Sequence, residues 1–184
     1  MKGVNTLAKI FTKILEITHW VAAGLMTGVC ICSIAAPQFL KFFTDVEDLH
    51  SNPEISVYGF EVNAADPAGW INLTSLFLFG IGAVVIFILM ALIFRNLNLI
   101  IKRSENSTPF SPENILSLKK IGIFAIAVPA VGLLMSIIIR MIIGVEATEI
   151  SINLEGFILG IIVLCLTRFF IHGAELEKDV DGLL

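Results

Sequence analysis

Long aliphatic runs separated by short polar stretches dominate this chain. Four runs have few charges and are long enough to cross about 30 Å of hydrocarbon as helices: roughly Ile17–Ala36, Ile71–Phe94, Ile121–Ile143 and Ile152–Ile171. The second run has no charged residue, and Arg140 is the only one in the third. The fourth run is the weakest, because Glu155 lies near its start and Arg168 near its end. The pattern predicts an all-α integral membrane protein with four transmembrane helices in a bundle, a single membrane domain over residues 1–184.

Composition supports a membrane location. Of the 184 residues, 57% are hydrophobic and only 15% are charged, whereas soluble domains average about 25% charged residues. Lys2, Lys9 and Lys13 precede the first run and give it the look of a signal peptide. Its apolar stretch is too long for one, however, and no small-x-small cleavage site leads from it into a soluble mature domain. We therefore interpret the first run as a retained span.

The charges between the spans predict an orientation. Residues 37–70 carry six acids against Lys41, whereas residues 95–120 carry five bases against two acids. Because Lys and Arg collect on the cytoplasmic side of membrane proteins, the 95–120 connection and both termini are predicted to be cytoplasmic. The 172–184 tail then faces the cytoplasm, and residues 37–70 form a short extracytoplasmic cap between helices 1 and 2.

The cap has the pattern of a small β-structure. The run 55-ISVYGFEVN-63 partly alternates between apolar and polar residues, and turn residues bracket it at Pro53 and in 65-ADPAG-69. This favours a short strand or hairpin. A ligand-sensing cap and a simple spacer both fit the pattern.

A polar passage, 107-STPFSPENILSLKKIG-122, separates the second and third spans. Ser111 is placed to cap a helix, with Pro112 at its first position and Glu113 in its first turn. We predict that this helix continues into the third span. The passage is either an ordered entry into the membrane or a docking face for a cytoplasmic partner, with six candidate contacts: Pro109, Phe110, Glu113, Asn114, Lys119 and Lys120.

Two motifs carry a resemblance to a known family. The segments 94-FRNLNLIIKRSENSTPFSPENILSLKKIG-122 and 169-FFIHGAELEKDVDGLL-184 resemble the signatures of small four-span bacterial membrane proteins, domain-of-unknown-function family 2975. The resemblance implies a multi-pass protein of the bacterial cytoplasmic (inner) membrane. Members are often encoded beside a small helix-turn-helix DNA-binding regulator, which implies a regulatory role at the membrane. The end Gly182, Leu183, Leu184 departs from the threonine-containing ending of many members.

Redox chemistry is the first alternative. His19 and His172 are predicted near the same face of the membrane, where two imidazoles could ligate a b-type haem. Two histidines near membrane boundaries also occur easily by chance. Quinone-coupled thiol exchange needs cysteine pairs at the outer face, but Cys30, Cys32 and Cys165 all lie in apolar runs. The favoured prediction is that no cofactor and no metal is bound.

We interpret the charged and small residues within the spans first as structural residues. Arg140 and Glu155 are predicted at similar depth near the outer boundary, where pairing would relieve the cost of two charges in the membrane. Gly156 and Gly160 have the spacing of a close helix contact, which we assign to packing within the bundle. No acid lies at mid-membrane, which argues against coupled transport.

The sequence therefore predicts a protein that is not an enzyme and does not bind nucleic acid directly. The leading hypothesis is a membrane-sited regulatory or sensory partner of a cytoplasmic DNA-binding regulator. A haem or quinone-linked redox subunit and a small lipid- or ion-handling component remain as alternatives, and self-association is left open.

Overall fold

The computed structural model describes residues 2–38, 54–65, 72–105, 108–150 and 153–181. Within them the chain forms four long helices and one β-hairpin, which in chain order are α1 (Lys2–Ala35), β1 (Glu54–Val57), β2 (Phe60–Asn63), α2 (Leu73–Arg103), α3 (Pro112–Ile142) and α4 (Leu154–Asp181). The helices pack in sequence as a bundle, and the hairpin follows α1 and precedes α2 in the chain. The predicted fold class is confirmed.

All four helices are long and apolar enough to cross a membrane: Asn5–Ala35, Leu73–Arg103, Pro112–Ile142 and Leu154–Asp179. Many of their aliphatic side chains point away from the bundle; Leu25 is 69% exposed and Leu134 is 57% exposed. Such a surface is unfavourable in water and favourable in lipid. The chain is a multi-pass membrane protein.

The helices are longer than the apolar runs that predicted them. α1 begins at Lys2, α2 continues to Arg103, α3 begins at Pro112 and α4 continues to Asp181. The connection predicted over 95–120 is thereby reduced to residues 104–111, here called the elbow, and most of the predicted tail is helical. Hydrophobicity marks only the part in the membrane, whereas Lys, Glu and Leu at the ends are good helix formers. The start of α3 at Pro112 confirms that prediction.

The chain divides into two compact units. The elbow unit combines Met1–His19, Leu89–Ala127 and Leu154–Leu184, and the hairpin unit combines Trp20–Ile88 and Val128–Asn153. Each unit has its own set of buried contacts, which are described separately below.

The hairpin turns through two residues. Val57 pairs with Phe60, and Tyr58 and Gly59 between them have positive φ angles of 49° and 79°. Two positive φ values in a two-residue loop are the signature of a type I′ turn, whose twist matches that of the flanking strands. The predicted hairpin is confirmed; Pro53 and residues 66–69, predicted to bracket it, lie outside the described residues.

The hairpin unit is organised around Phe60. This side chain is 1% exposed, and its ring stacks on that of Phe79 of α2 at a centroid distance of 5.2 Å. Glycines make room for it: a Cβ on Gly82 of α2 would lie 2.7 Å from Phe60 Cε1, and one on Gly132 of α3 would lie 3.2 Å from Phe60 Cβ. The Phe60 ring thus packs against both α2 and α3 and helps to anchor the hairpin there.

The segment after α3 holds the other side of β2. The Asn63 amide donates to the Ala147 carbonyl at 2.8 Å, and the Thr148 hydroxyl donates to the Glu61 carbonyl at 2.5 Å. Ala147 and Thr148 are both buried. Backbone groups of the hairpin edge are therefore satisfied by protein partners.

Small residues bring two pairs of helices close together. In the hairpin unit, a Cβ on Gly80 of α2 would collide with Cys30 Sγ of α1. In the elbow unit, a Cβ on Gly160 of α4 would lie 3.0 Å from the Gly122 carbonyl oxygen and 3.0 Å from the Ile126 nitrogen of α3. Gly160 packs within the bundle, as predicted, and Cys30 is a buried core residue.

Candidate functional site at the elbow

One face of α1 in the elbow unit is both polar and buried. Thr12, Glu16 and His19 follow one another at intervals of four and three residues, which places them on one face of a helix. Their exposures are 5%, 8% and 7%. Glu16 Oε2 accepts from Lys13 Nζ at 2.9 Å, and the His19 ring packs against that of Phe94 of α2 with centroids 5.2 Å apart and planes tilted by 36°. α1 therefore presents polar groups to the bundle and aliphatic groups outward.

An asparagine joins this polar face to α2. The Asn98 side-chain amide donates to the Lys9 carbonyl at 3.0 Å and to the Thr12 hydroxyl at 2.9 Å, and Asn98 is 4% exposed. Hydrogen bonds between helices fix their register, since apolar contacts alone have little directional preference in lipid. Asn98 thus sets the position of α1 against α2.

The elbow is held by side chains from both helices that it connects. The Arg103 guanidinium donates through Nη1 to the Glu113 carbonyl at 3.2 Å and to the Ser117 hydroxyl at 3.1 Å. The Asn114 side-chain amide donates to the Ser104 hydroxyl and the Pro109 carbonyl, each at 3.4 Å. The end of α2 is consequently tied to the first two turns of α3.

Ser111 occupies the predicted capping position with a different bond pattern. Its carbonyl accepts from the backbone amides of Asn114 and Ile115 at 3.0 and 3.1 Å, and these bonds start the helix. Its hydroxyl, however, is buried without a hydrogen-bond partner among the described residues. The helix start is therefore set by the backbone and by Pro112, which needs no amide partner at this position.

Phe110 connects the elbow to α4. Its ring meets the edge of Phe170 at a centroid distance of 5.4 Å and an angle of 64°. A Cβ on Gly173 would lie 2.8 Å from Phe110 Cε1, so the glycine leaves space for the ring. Edge-to-face contact between aromatic rings is favourable, and it fixes the elbow against the helix that carries the chain's C-terminal part.

A groove of about 450 Å³ opens beside the elbow, between the start of α3 and the end of α4. We call it the α3–α4 groove. Its apolar side chains include Ile115, Leu116 and Ile171, and its charged ones are Lys119, Glu175 and Lys178. Leu116 is 53% exposed. An apolar floor with charged groups around it has the chemistry of a surface that receives an amphipathic helix.

Of the six predicted partner contacts, the structure places five where they can be reached. Pro109, Glu113, Lys119 and Lys120 are exposed and Phe110 is half-buried, whereas Asn114 is 1% exposed. Because its amide is engaged inside the elbow, Asn114 acts as a structural residue. Sequence reasoning missed this because a polar residue after a helix cap is normally solvent-exposed.

The two histidines predicted as haem ligands have different surroundings. His19 is buried, and its Nδ1 lies 2.7 Å from the Leu15 carbonyl of its own helix. The His172 side chain is 71% exposed and its Nδ1 lies 3.3 Å from Glu175 Oε2. The haem hypothesis stays a prediction. Within the described ranges, no three His, Cys, Asp or Glu side chains lie together as metal ligands would.

Arg140 and Glu155 lie at helix ends. Arg140 is half-buried in the last turn of α3, and Glu155 is exposed in the first turn of α4. Each charge therefore lies close to one end of its helix. Their pairing stays a prediction.

A second concave surface lies in the hairpin unit. This cleft of about 430 Å³ is lined by Asn63, Asn72, Glu146 and the segment around Gly144. The Asn72 amide oxygen is occupied by the Thr74 and Ser75 amides at 3.0 and 3.2 Å, where it caps α2. Part of this lining therefore serves the start of a helix.

Comparison of the chain with family models, with curated proteins and with solved structures found no match.

Proposed function

We propose that this chain is a regulatory protein of the bacterial cytoplasmic membrane whose elbow end faces the cytoplasm and binds a soluble protein. The orientation is supported by charge. The elbow unit carries nearly all basic residues of the described chain, whereas Arg140 is the one Lys or Arg described in the hairpin unit. Bases near span ends favour the cytoplasmic side.

The α3–α4 groove is the observation that carries the proposal. It combines apolar side chains with Lys119, Glu175 and Lys178. Beside it, Arg103 donates hydrogen bonds to α3 and Phe110 packs against Phe170 of α4. A preformed groove loses little conformational entropy when a partner binds. The charges around it can select a helix with complementary charges, which gives specificity.

We propose a helix-turn-helix DNA-binding regulator as the partner. The resemblance to domain-of-unknown-function family 2975 supports this choice, since members are often encoded beside such regulators. A helix of the regulator would lie in the groove, and a change in the membrane protein would retain or release it. DNA would be contacted by the regulator alone.

Site-specific photocrosslinking in the native host tests the proposal. A photoreactive phenylalanine replaces Leu116 in the groove, and a matched variant carries it at Ile123, which lies on the same helix and is 48% exposed. We expect a soluble DNA-binding regulator to be crosslinked from position 116 and not from 123. Equal crosslinking from both positions, or crosslinks to membrane components alone, would contradict the proposal.

Orientation has a separate test. In a background with Cys30, Cys32 and Cys165 replaced, Glu61→Cys and Lys120→Cys place single exposed thiols in the hairpin and near the elbow. A membrane-impermeant thiol reagent should label Glu61→Cys in whole cells and Lys120→Cys only after permeabilisation. The reverse pattern would overturn the orientation.

A further inference from the structure

A second groove in the elbow unit lies between the first half of α1 and the end of α2, with a volume of about 330 Å³. We call it the lysine groove. Lys9 and Lys13 of α1, one helical turn apart, and Lys102 of α2 line it together with Ile10, Ile14 and Ile17. The isoleucines are spaced by four and three residues, so they form one apolar stripe along α1.

The lysines are only partly neutralised by the protein. Lys9 pairs with Glu105, and Lys13 Nζ lies 2.9 Å from Glu16 Oε2. Lys102 is exposed and forms no ion pair with any acid in the described part of the chain. Three cations therefore face two carboxylates. Each ammonium also has three donors, so the groove keeps both a net positive charge and donors for an anion.

The apolar stripe indicates which class of ligand fits the groove. Ile10, Ile14 and Ile17 are 52%, 54% and 52% exposed and lie in the first span, Asn5–Ala35. A phosphate ion would contact the ammonium groups and leave the stripe uncovered. A zwitterionic lipid would cover the stripe but carry its own cation toward the lysines. An anionic phospholipid satisfies both parts.

We infer that the lysine groove binds one anionic phospholipid, with its phosphate between Lys13 and Lys102 and an acyl chain along the isoleucine stripe. The groove is built by fixed elements, because Asn98 donates to the Lys9 carbonyl and the Thr12 hydroxyl and so holds α1 against α2. The inference does not depend on a protein partner, since that partner is assigned to α3 and α4.

Native mass spectrometry of the full chain in non-ionic detergent tests this inference. Palmitoyl-oleoyl phosphatidylglycerol is the probe, and phosphatidylcholine with the same chains is the control lipid. We expect one phosphatidylglycerol to be retained per chain, in preference to phosphatidylcholine. Each lysine near an anionic headgroup contributes about a fivefold change in affinity. Lys102→Gln should therefore weaken retention about fivefold, and Lys9→Gln/Lys13→Gln/Lys102→Gln about a hundredfold.

A second triple variant serves as the control. Lys119→Gln/Lys120→Gln/Lys178→Gln removes the same charge from the same unit but leaves the lysine groove intact, so its lipid retention should be unchanged. Equal losses in the two triple variants would show general attraction to a basic surface and overturn the inference. Equal retention of the two lipids, or binding of inorganic phosphate as tight as that of phosphatidylglycerol, would overturn it as well. Lys102→Gln keeps the test decisive if the triple variant misfolds, because this exposed side chain has no ion pair with any acid that the structure describes.

Discussion

The rings of Phe60 and Phe79 stack with their centroids 5.2 Å apart and their planes 18° from parallel. Phe60 belongs to the β-hairpin and Phe79 to α2, one of the membrane-spanning helices, and they are 1% and 3% exposed. A residue outside the apolar runs is thus among the most buried in the hairpin unit. Folding of the hairpin and packing of α2 against α3 are therefore coupled through this contact.

Replacing Phe60 by alanine should destabilise the protein strongly. The substitution leaves a cavity beside Gly82 and Gly132. Loss of the buried ring should lower the free energy of unfolding by about 3–5 kcal/mol. Unfolding by a denaturing detergent measures the loss, and hydrogen exchange over residues 54–65 should rise with it. Ser56→Ala, on an exposed position of the same hairpin, is the control. Equal stability of the two variants would contradict this account.

A methyl group on Gly160 should separate α3 from α4. It would meet the backbone oxygen of Gly122 and the backbone nitrogen of Ile126, each at 3.0 Å, and backbone atoms cannot move aside as a flexible side chain can. We expect Gly160→Ala to lower the free energy of unfolding by about 1–3 kcal/mol.

Gly28→Ala is the matched control for that change. Among the described residues, no atom beyond the neighbouring backbone of α1 lies within 4 Å of a Cβ at this position. Alanine is favoured over glycine in a helix by about 0.5–1 kcal/mol. Thermal unfolding in detergent should therefore move in opposite directions for the two variants. A shift of the same sign in both would show that the close approach at Gly160 is unimportant.

The sequence predicted features that follow from local pattern. The four spans follow from length and hydrophobicity, the hairpin from alternation around Tyr58 and Gly59, and the start of α3 from Pro112. Each of these signals is contained in a short stretch of chain, so one sequence suffices to read it.

Features that depend on distant partners were not predicted. The spacing of Thr12, Glu16 and His19 does mark one helix face, and it could have shown that α1 has a polar side. Which side faces the bundle depends on Asn98, 86 residues from Thr12. Burial of Asn114 likewise depends on how the elbow folds. The α3–α4 groove depends on side chains from two helices, which no periodicity within one helix can reveal.

Removing the Asn98 side chain should loosen α1 from α2. Asn98→Ala deletes two hydrogen bonds between the helices, and the expected loss is about 1–2 kcal/mol in unfolding free energy. Asn96→Ala is the comparison, because the Asn96 side-chain amide donates within α2, to the Leu92 carbonyl at 2.7 Å. Unfolding in detergent should show the larger effect for Asn98. If Asn96→Ala is as damaging, the link to α1 is not what Asn98 contributes.

The hairpin should respond to alkaline pH through Tyr58. Burial raises the pKa of this phenol above its usual value near 10. A raised folded-state pKa means that the folded protein retains the proton more strongly than the unfolded chain does. The contribution to stability is therefore present below pH 10 and is lost as the pH rises toward the folded-state pKa.

Absorbance titration reports on this group without ambiguity, because the chain has one tyrosine. The midpoint should lie higher in the folded protein than in the chain unfolded by denaturing detergent. Partial exposure of the side chain, at 43%, keeps the difference modest. Coincident midpoints would show that the turn leaves Tyr58 fully hydrated.

The four spans differ in how much of their surface the bundle covers. In the most apolar 18-residue stretch of each helix, 39% of α3 is buried, against 11% of α4. Positions that touch only lipid accept any aliphatic side chain of suitable hydrophobicity, so substitutions there escape selection. Sequence drift should therefore be fastest between Leu154 and Leu166, interrupted by Gly160. Around Arg103, Phe110 and Asn114, drift should be slow, and descendants of a common ancestor will remain recognisable there long after the body of α4 has diverged.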